Sequence, residues 1–414
     1  KDQFKRLGVI GDWENYYSTM SFDAEAQIVR ELGKFLKEGS LYRGYKPVLW
    51  STVEKTALAD AEVEYMNHVS DTIYTSFKIK KSNLNYLQEA EVIIWTTTPW
   101  TIPANKALAY NNTLKYIVVE CNEIEDFLNR KIVIAKDLLE SVKKDLEIKN
   151  FKILKEFSGS DFKGTICSHP FYNLGYKYEI PMLEARFVTT DQGTGIVHCA
   201  PSHGPDDFNL CLNNGIKAVE TVDGDGKYTD AIPLFAGTHI FKSNEIVIKK
   251  LKEQKNLLSS GKLNHSYPHS WRSKAPLVHR ATPQWFISME SHHLRKKALK
   301  AIDETTFFPS KGKERIKSMI ETRPDWCVSR QRVWGVPLPI FISKKNAEVL
   351  VDDEVFENIA NIYELEGSDC WFNSDYQRFL GDKYKAEDYE KLSDIVEVWF
   401  DSGSTHSFVL EKRD

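Results

Sequence analysis

The sequence reads GTGIVHCAPSHGPDDF from Gly193 to Phe208, and this stretch says most about the fold and the function of the chain. Its β-branched residues predict a short strand, and the glycines and prolines around them predict a rigid loop. The adjacent carboxylates at the end of the loop suit the binding of a cationic group, such as a substrate ammonium. The alternative is that Asp206 or Asp207 only caps a helix from Phe208 to Asn213. The density of special residues favours a site.

A second informative stretch, WTTTPWTIPAN, runs from Trp95 to Asn105 and follows an apolar run that predicts a strand. Pro99 and Pro103 fix the backbone angle φ and prevent that strand from continuing. The threonine hydroxyls and the free backbone N–H groups can then face a ligand that carries oxygen atoms. Taken alone, the stretch is explained better as a threonine-rich turn that packs on itself.

The rest of the chain alternates between strand and helix signals. Short β-branched runs between turn residues, from about Glu62 to Phe241, predict a β-rich domain of the barrel kind. These runs are Val92–Trp95, Tyr116–Val119, Lys131–Ile134, Arg186–Val188 and Gly195–Val197. Apolar residues at helical spacing predict a helix from about Phe22 to Glu38, with Ser21 as its cap and Gly39 as its stop. The other predicted segments are helices near Glu245–Lys255 and His292–Ile302, an aromatic, turn-rich segment at Leu41–Trp50 and an insertion at Lys344–Lys391.

Composition excludes several classes of protein. The chain has 414 residues, 42% hydrophobic and 28% charged, which predicts two or three folded domains and excludes a largely disordered chain. Apolar runs stay below the roughly 18 residues that a membrane span needs, and the first residues lack the apolar stretch of a signal peptide. A net charge of -4 excludes a uniformly basic nucleic-acid coat. Six irregularly spaced cysteines predict free thiols in a reducing compartment.

Two further motifs lie in the last hundred residues. From Arg323 to Pro337, three arginines interleave with two tryptophans, a composition that suits phosphate contact and stacking. The alternative for at least one of these arginines is a hinge held by salt bridges. From Val398 to Thr405, the sequence VWFDSGST predicts a strand that runs into a small polar turn, the place where ligands bind in open α/β sheets.

In this order, the four motifs resemble those of the class I aminoacyl-tRNA synthetases for branched aliphatic amino acids, and specifically the isoleucyl enzymes of bacterial type. The run SYPHSWRSKAPLVHRATPQWF at Ser266–Phe286 completes the set, and the similarity spans nearly the whole chain. The valyl and leucyl relatives share the architecture. The forms RATPQWF, VWFDSGS and TTTPWT favour the isoleucyl enzymes over both.

The resemblance also has departures. The two ATP signatures of the family, an HIGH-type and a KMSKS-type sequence, are absent, so we expect an internal fragment of a longer enzyme. The resemblance implies a mixed α/β and β-rich fold, with a β-barrel-like editing domain inserted into pieces of a Rossmann-like catalytic fold. Five parts are implied. Residues 1–60 belong to the catalytic domain and its connection to the insertion, and residues 61–260 form the editing domain. Residues 261–340 form the return connection and another part of the catalytic domain, residues 341–392 form a second small insertion, and residues 393–414 form a strand and turn of the catalytic domain.

The family resemblance implies a hydrolytic function. Isoleucine and valine differ by one methylene, which a pocket distinguishes by only about 1–3 kcal/mol, a magnitude for which isoleucyl enzymes are themselves the standard example. A second, smaller site in the family hydrolyses Val-tRNA(Ile) and excludes isoleucine by size. We therefore expect this fragment to deacylate mischarged tRNA, whereas ATP-dependent isoleucylation, with ATP and Mg²⁺, is expected of the full-length ligase.

Motif position and residue chemistry together assign roles within this resemblance. As the predicted catalytic residues of the editing site, Asp207 is expected to anchor the α-ammonium, His198 to line the side-chain pocket, and Thr97 and Thr98 to bind the carbonyl and the terminal adenosine. The other predicted substrate-binding residues are Thr96, Thr101, Asn105, His203 and Asp206 for editing, with Trp399, Asp401 and Ser402 near the aminoacyl-adenylate pocket. Water is the expected nucleophile, without a protein general base, and help from the terminal ribose hydroxyl of the tRNA is a hypothesis.

Some relatives hold zinc beside the insertion with two CxxC pairs. The matching positions in this sequence are Ser51, Glu54, Ser270 and Ser273, so without thiolates we expect no zinc and no other metal in this fragment. The implied partners are the acceptor end of tRNA(Ile) and the esters of valine and isoleucine. The resemblance further implies a cytoplasmic monomer that does not bind membranes.

Two alternatives stay open. One is a tRNA-binding module that is inert without the rest of the synthetase; its support is the basic cluster of Arg295, Lys296, Lys297, Lys300, Lys311, Lys313 and Arg315, although charge runs are usually solvated faces. The other is an editing domain of the valyl or leucyl type.

Overall fold

The computed structural model describes residues 1–121 and 130–412. The chain divides into two compact units, a first unit of residues 1–44 with 283–414 and a second unit of residues 45–282. The boundaries expected at 60/61 and 260/261 lie within the second unit, and the five-part division stays a prediction.

The strands and helices are numbered in chain order. The strands are β1 Leu41–Ser51, β2 Thr56–Ala57, β3 Val63–Lys81, β4 Glu91–Thr96, β5 Ala107–Tyr110, β6 Lys115–Cys121, β7 Arg130–Ala135, β8 Phe151–Ser158, β9 Ile166–Ser168, β10 Glu179–Glu184, β11 Ile196–Cys199, β12 Leu257–Ser270, β13 Val278–Ile287, β14 Trp326–Cys327, β15 Ser329–Arg330, β16 Phe341–Ser343, β17 Tyr389–Lys391 and β18 Ile395–Val396. The helices are α1 Asp2–Arg6, α2 Phe22–Lys37, α3 Leu139–Asp145, α4 Pro205–Asn213, α5 Ile240–Glu253, α6 Leu294–Glu304, α7 Lys311–Thr322, α8 Asp353–Glu366, α9 Cys370–Asn373, α10 Gln377–Leu380 and α11 Val398–Gly403.

The second unit is built on a large mixed sheet with the strand order β11-β5-β10-β9-β3-β4-β7-β6-β8, to which β12 adds by pairing with β3. The pairs β5–β10 and β4–β7 are parallel. The sheet curls until Ala135, at the end of β7, donates a backbone hydrogen bond to Thr194 O over 2.8 Å. Among the described residues no ladder joins β11 to β4 or β7, so the barrel-like sheet is not closed.

Glycine permits this curl. Gly195 lies just before β11 with a φ of +73°, and a Cβ atom there would lie 2.3 Å from the Cβ atom of Ala135. Any larger residue would push the loop away from β7, because protein interiors leave no room for such an overlap. The Gly193–Gly195 segment therefore brings β11 close to the far side of the sheet.

The first unit packs helices around an extensive apolar core. Helix α2 has the periodicity expected from the sequence and buries one face, with Ile28, Val29 and Leu32 fully buried. Gly33 allows a close approach, since a Cβ atom there would lie 3.1 Å from the Phe356 ring on α8. Arg30 of α2 adds ion pairs to two glutamates of α8 at 2.9 and 3.0 Å. The short strand pairs in this unit are β15–β18 and β16–β17, and β13 and β14 pair antiparallel.

The structure confirms most of the predicted elements. Helices α2, α5 and α6 and strands β4, β6, β7 and β11 coincide with predicted segments within a few residues. All six cysteines are free thiols, as their spacing predicted. Gly39 ends α2 with a φ of +72°, as expected of a helix stop. Ser21 precedes α2, but its hydroxyl donates to Ser18 O and does not cap the helix. Within the described residues, every helix is too short or too polar to span a membrane.

Three local predictions were wrong. Leu41–Trp50 is the long strand β1, because its aromatic residues favour the extended backbone in spite of Gly44 and Pro47. Arg186–Val188 is a turn, since the run is short and the Asn111 side chain binds Val188 O at 3.0 Å. The strand predicted to run to Phe400 ends at Val396, and α11 begins at Val398; periodicity cannot separate short buried strands from helices.

Candidate functional site

A cavity of about 260 Å³ opens in the second unit where the stretches Trp95–Asn105 and Gly193–Phe208 meet. It lies between the end of β4 with the 3₁₀ turn Pro99–Ala104 on one side, and β11 with the start of α4 on the other. Its lining residues are Trp95, Thr96, Thr98, Thr101, Val197, His198, Ala200, His203, Gly204 and Asp207.

Three threonine hydroxyls form one wall of the cavity. Thr98 Oγ1 lies 3.2 Å from Thr96 Oγ1 and 3.3 Å from Thr101 Oγ1. Thr96 Oγ1 also accepts from the backbone N–H of Thr98 at 3.1 Å, and Thr101 Oγ1 donates to Thr98 O at 2.8 Å. The Thr101 proton is therefore already used within the turn. Thr96 and Thr98 are the hydroxyls that remain able to turn towards a ligand.

His198 lies behind this wall as a neutral side chain. Its Nδ1 accepts from Asn105 Nδ2 at 2.9 Å, and its Nε2 lies 2.7 Å from Thr101 Oγ1. Asn105 Nδ2 also donates to Ala107 O at 2.9 Å, which fixes the orientation of the amide. Nδ1 of His198 is thus an acceptor, so the ring proton lies on Nε2 and is donated to Thr101. Burial lowers the pKa of His198 to about 3, with His203 adding to the effect.

Asp207 is the carboxylate that faces the cavity. It lies in the first turn of α4, and its Oδ2 accepts from the Ala200 backbone N–H at 2.8 Å. Burial raises the pKa of Asp207 to about 6, against the opposing effect of that hydrogen bond. Within the described part of the chain no cation pairs with it. A half-buried carboxylate without a cation suits an incoming ammonium group.

His203 closes the cavity near Asp207 and is also neutral. Its Nδ1 donates to His279 O at 2.9 Å, and its Nε2 accepts from Thr221 Oγ1 at 2.8 Å. The edge of the ring packs against Trp100, with 4.7 Å between the ring centroids. Burial lowers the pKa of His203 to about 4, so the ring is neutral at neutral pH. Its one ring lone pair, on Nε2, is occupied by the hydrogen bond from Thr221.

Buried polar side chains hold the threonine turn from behind. His169 Nε2 lies 2.9 Å from Ile102 O, and Tyr178 donates to Asn105 O at 3.1 Å. The Tyr228 hydroxyl donates to Trp100 O, and Asn244 Oδ1 accepts from the Trp100 N–H at 3.1 Å. The turn is therefore preorganised, because most of its free backbone groups already have partners.

The structure brings most of the predicted editing residues together. The cavity is lined by Thr96, Thr98, Thr101, His198, His203 and Asp207, with Asn105 one layer behind them. Thr97 and Asp206 are not among the lining residues, and Asp206 is exposed. Sequence reasoning gave no role to the other lining residues, Trp95, Val197, Ala200 and Gly204. All four lie inside the two motif stretches, and their position there was the available signal.

The remaining predicted residues belong to the first unit. Trp399 and Ser402 on α11 are exposed, whereas Asp401 is 6% exposed. Burial raises the pKa of Asp401 to about 8, with Glu397 and Glu25 adding to the effect.

The arginine motif is divided between interior and surface. Arg330 is 1% exposed, and its guanidinium lies 4.0 Å from the Glu397 carboxylate. This arginine has a buried salt bridge within the first unit, as the salt-bridge alternative expected, and it is too buried to contact a phosphate at the surface. The hinge itself stays a prediction. Arg323 lies 5.8 Å from the centre of the Trp326 ring. The composition of the motif suited both phosphate contact and a salt bridge, and the burial of Arg330 favours the salt bridge for this arginine.

The positions that match the zinc ligands of relatives come together around one carboxylate. Glu54 Oε1 accepts from Ser270 Oγ at 2.7 Å and from the Ser273 N–H at 3.2 Å, and Glu54 Oε2 accepts from Ser51 Oγ. These hydroxyls and amides donate to the carboxylate and offer zinc no soft ligand, so the residues do not fit the metal. In the ranges that the structure describes, no group of three or more His, Cys, Asp or Glu residues is placed to hold an ion.

Comparisons with known proteins relate the whole chain to one family. The family model "tRNA synthetases class I (I, L, M and V)" matches residues 1–414. An isoleucine–tRNA ligase of Pelagibacter ubique is 78% identical over 414 residues, which are 100% of this chain and 46% of the relative. That of Gluconobacter oxydans is 47% identical over 427 residues, 99% of this chain and 44% of the relative. The chain thus spans less than half the length of these curated relatives.

One solved structure, titled "The crystal structure of GlLeuRS-CP1", is similar at a TM-score of 0.36 and 16% sequence identity. The similarity covers 46% of this chain and 98% of that chain.

Proposed function

The chain belongs to the class I tRNA synthetases of the I, L, M and V group, and on this premise we propose that its second unit deacylates Val-tRNA(Ile). The ATP-dependent isoleucylation of tRNA(Ile), with ATP and Mg²⁺, is proposed for the whole isoleucine–tRNA ligase of which this chain represents less than half the length. Trp399, Asp401 and Ser402 are proposed to serve that synthetic site.

The cavity carries this proposal. It joins a half-buried carboxylate that has no described cation, two threonine hydroxyls able to turn towards a ligand and a neutral histidine within about 260 Å³. An aminoacyl ester offers the matching groups, which are an ammonium, a carbonyl oxygen and a short apolar side chain. Asp207 would bind the ammonium, Thr98 and Thr96 the carbonyl, and His198 would limit the side chain.

Water is the nucleophile in this proposal. Its oxygen attacks the ester carbonyl carbon, the bond from that carbon to the ribose oxygen breaks, and the ribose oxygen takes up a proton. His198 and His203 cannot take the proton from water, because their unprotonated nitrogens already accept hydrogen bonds. Cys199 is an unsuitable nucleophile, since burial raises the pKa of its thiol. Help from the ribose hydroxyl beside the ester stays part of the proposal.

The direct test is hydrolysis of preformed Val-tRNA(Ile) and Ile-tRNA(Ile) by this chain without ATP or amino acid. We expect loss of valine with isoleucine spared. Equal hydrolysis of both esters would contradict the size limit, and hydrolysis of neither would contradict an autonomous editing function. Thr-tRNA(Val) and a mischarged leucine tRNA, tested in parallel, distinguish the valyl and leucyl alternatives.

A second candidate function is tRNA binding without hydrolysis, which the helical hairpin α6–α7 supports. Lys296, Lys297, Lys311 and Arg315 have no acidic partner among the described residues. Phe308, between the two helices, is 93% exposed, and cations beside an exposed ring suit RNA. Replacing Lys296 and Lys297 by alanine should weaken salt-dependent tRNA binding, whereas Lys385→Ala, at an exposed ion pair with Glu387, serves as the control.

The binding partners, the cellular location and the oligomeric state follow from the same proposal. The acceptor end of tRNA(Ile) and the valine and isoleucine esters are its expected ligands. A cytoplasmic monomer is proposed, and sedimentation at several protein concentrations would test the oligomeric state.

A further inference from the structure

The wall of the cavity around His203 is held by residues that do not touch the cavity. The loop of residues 200–204 receives a backbone hydrogen bond from Ala281 N to Ser202 O at 2.9 Å. On its other side, Ser202 Oγ donates to Val219 O at 2.6 Å. Together with the two hydrogen bonds of the His203 ring, these contacts fix the loop between β13 and the segment 219–222.

Thr221 is the link to the imidazole. It is 2% exposed, and its hydroxyl donates to His203 Nε2 at 2.8 Å. The segment that carries Thr221 is not a strand of the large sheet. Its backbone pairs with residues 227–229, where Thr229 N donates to Thr221 O at 3.0 Å, and side chains from β13 also reach it.

Arg280 supplies that support from β13. The side chain is 6% exposed, and its Nε donates to Val222 O at 2.7 Å. Its Nη2 pairs with the Glu220 carboxylate, so the guanidinium binds the residues on both sides of Thr221. The flat face of the guanidinium lies 4.5 Å from the centre of the Trp50 ring, whose Nε1 donates to Gly224 O at 3.0 Å. Only a planar group with several fixed donors makes all these contacts, which lysine cannot reproduce.

We propose that Arg280 and Thr221 are positioning residues for the cavity, which hold the His203 ring in place and so set the space available to the substrate. This inference rests on the proposed function for its substrate, although the positioning itself is independent of it. Neither residue touches the cavity. Their effect reaches the substrate through the Arg280–Val222 and Thr221–His203 hydrogen bonds.

The test uses four single variants of the full chain. Thr221→Val removes the hydroxyl at nearly constant shape, and Thr221→Ser keeps it. Arg280→Lys keeps the charge but loses the planar fork. Arg272→Lys is the matched control, since Arg272 is an exposed arginine 5.4 Å from the Trp271 ring centre. The readouts are the KM and kcat for Val-tRNA(Ile), and the ¹⁵N chemical shift of His203 Nε2, assigned with a His203→Gln variant.

We expect Thr221→Val and Arg280→Lys each to raise KM about tenfold. Both variants should also change the ¹⁵N shift of His203 Nε2, and in the same direction as each other. Thr221→Ser and Arg272→Lys should stay within about twofold of the parent chain. An unchanged Nε2 shift in Thr221→Val or in folded Arg280→Lys would overturn the proposal. Equal losses in Thr221→Val and Thr221→Ser would also overturn it. If the parent chain hydrolyses no ester, the proposed function fails, and the ¹⁵N comparison alone decides the positioning role.

Discussion

The Asn105 side-chain amide donates to Nδ1 of His198 over 2.9 Å, and this contact decides what the histidine can do. With Nδ1 occupied, the ring proton lies on Nε2 and is shared with Thr101 at 2.7 Å. His198 therefore acts as a neutral wall of the cavity and as a donor to the threonine turn. Because Nδ1 already accepts the hydrogen bond from Asn105, His198 is not available as a general base.

Replacing Asp207 by alanine should abolish most Val-tRNA(Ile) hydrolysis. A charge-assisted hydrogen bond contributes about 1.5–3 kcal/mol, so we expect a loss of about tenfold to a hundredfold or more in kcat/KM. Deacylation at pH 7.5 measures it, with Asp230→Ala, at an exposed aspartate, as the control. Normal hydrolysis by folded Asp207→Ala would show that another group anchors the ammonium.

The same carboxylate should reduce stability at neutral pH. Burial raises the pKa of Asp207 from 3.8 to about 6. A carboxyl group with a raised folded-state pKa favours folding below its unfolded pKa and loses that contribution as the pH rises through about 6. Asp207→Asn should thus raise the free energy of unfolding by about 1–3 kcal/mol at pH 7.5, with the difference shrinking towards pH 4. Urea unfolding at both pH values tests this, and a difference independent of pH would contradict it.

Replacing His198 by alanine should weaken the discrimination against isoleucine. The smaller side chain enlarges the cavity beside the threonine wall, so Ile-tRNA(Ile) should be hydrolysed about tenfold faster relative to Val-tRNA(Ile). His265→Ala, on the β3–β12 ribbon and outside the cavity lining, is the control. Unchanged rejection of isoleucine would remove His198 from the pocket wall.

Thr98 and Thr97 should differ, although the sequence assigned both to catalysis. Thr98 lines the cavity with a hydroxyl able to turn towards a ligand, whereas Thr97 is not a lining residue. Thr98→Val should lower kcat about tenfold, as expected for the loss of one hydrogen bond of roughly 1.4 kcal/mol. Thr97→Val should have a smaller effect. The reverse order in single-turnover deacylation would mean that the substrate approaches the turn from its other side.

The carboxylate of Glu54 should stabilise the second unit without metal. Glu54→Ala removes the acceptor of Ser51, Ser270 and the Ser273 N–H, and should lower the free energy of unfolding by about 1–3 kcal/mol. Although burial opposes the effect, hydrogen bonds from the two serines at 270 and 273 hold the pKa of Glu54 below 4.5. This contribution is present above pH 4.5 and is lost as the pH falls through the lower folded-state pKa.

Urea unfolding measures the effect of Glu54→Ala, with Glu64→Ala as the control, since Glu64 makes an exposed pair with Lys274 that should contribute little. EDTA should leave the midpoint of the parent chain unchanged. A fall of the midpoint in EDTA would mean that a metal ion contributes to this cluster after all.

Local sequence signals predicted the elements that have a clear apolar pattern. Helix α2 buries one face at helical spacing, and strands β4, β6 and β7 are nearly continuous buried apolar runs, so both patterns are visible directly in the sequence. Leu41–Ser51 and Val398–Gly403 were misjudged, because their aromatic and apolar residues suit either backbone until a neighbour is present. Prediction of the candidate site had a similar limit. Its two stretches were recognised in the sequence, but Thr97 and Asp206 were not distinguished from the neighbouring residues that line the cavity.

The amino-acid sequence was enough to select the candidate site residues, because threonines, histidines and adjacent carboxylates lie close together between prolines and glycines. It also determined the family, through several long motifs in one order. The tertiary structure was needed to show which aspartate faces the cavity, which nitrogen of His198 carries the proton, and that Thr221 and Arg280 lie behind His203. The reason is that burial and hydrogen-bond partners come from residues distant in sequence. These determine whether each group is charged and whether it donates or accepts a hydrogen bond.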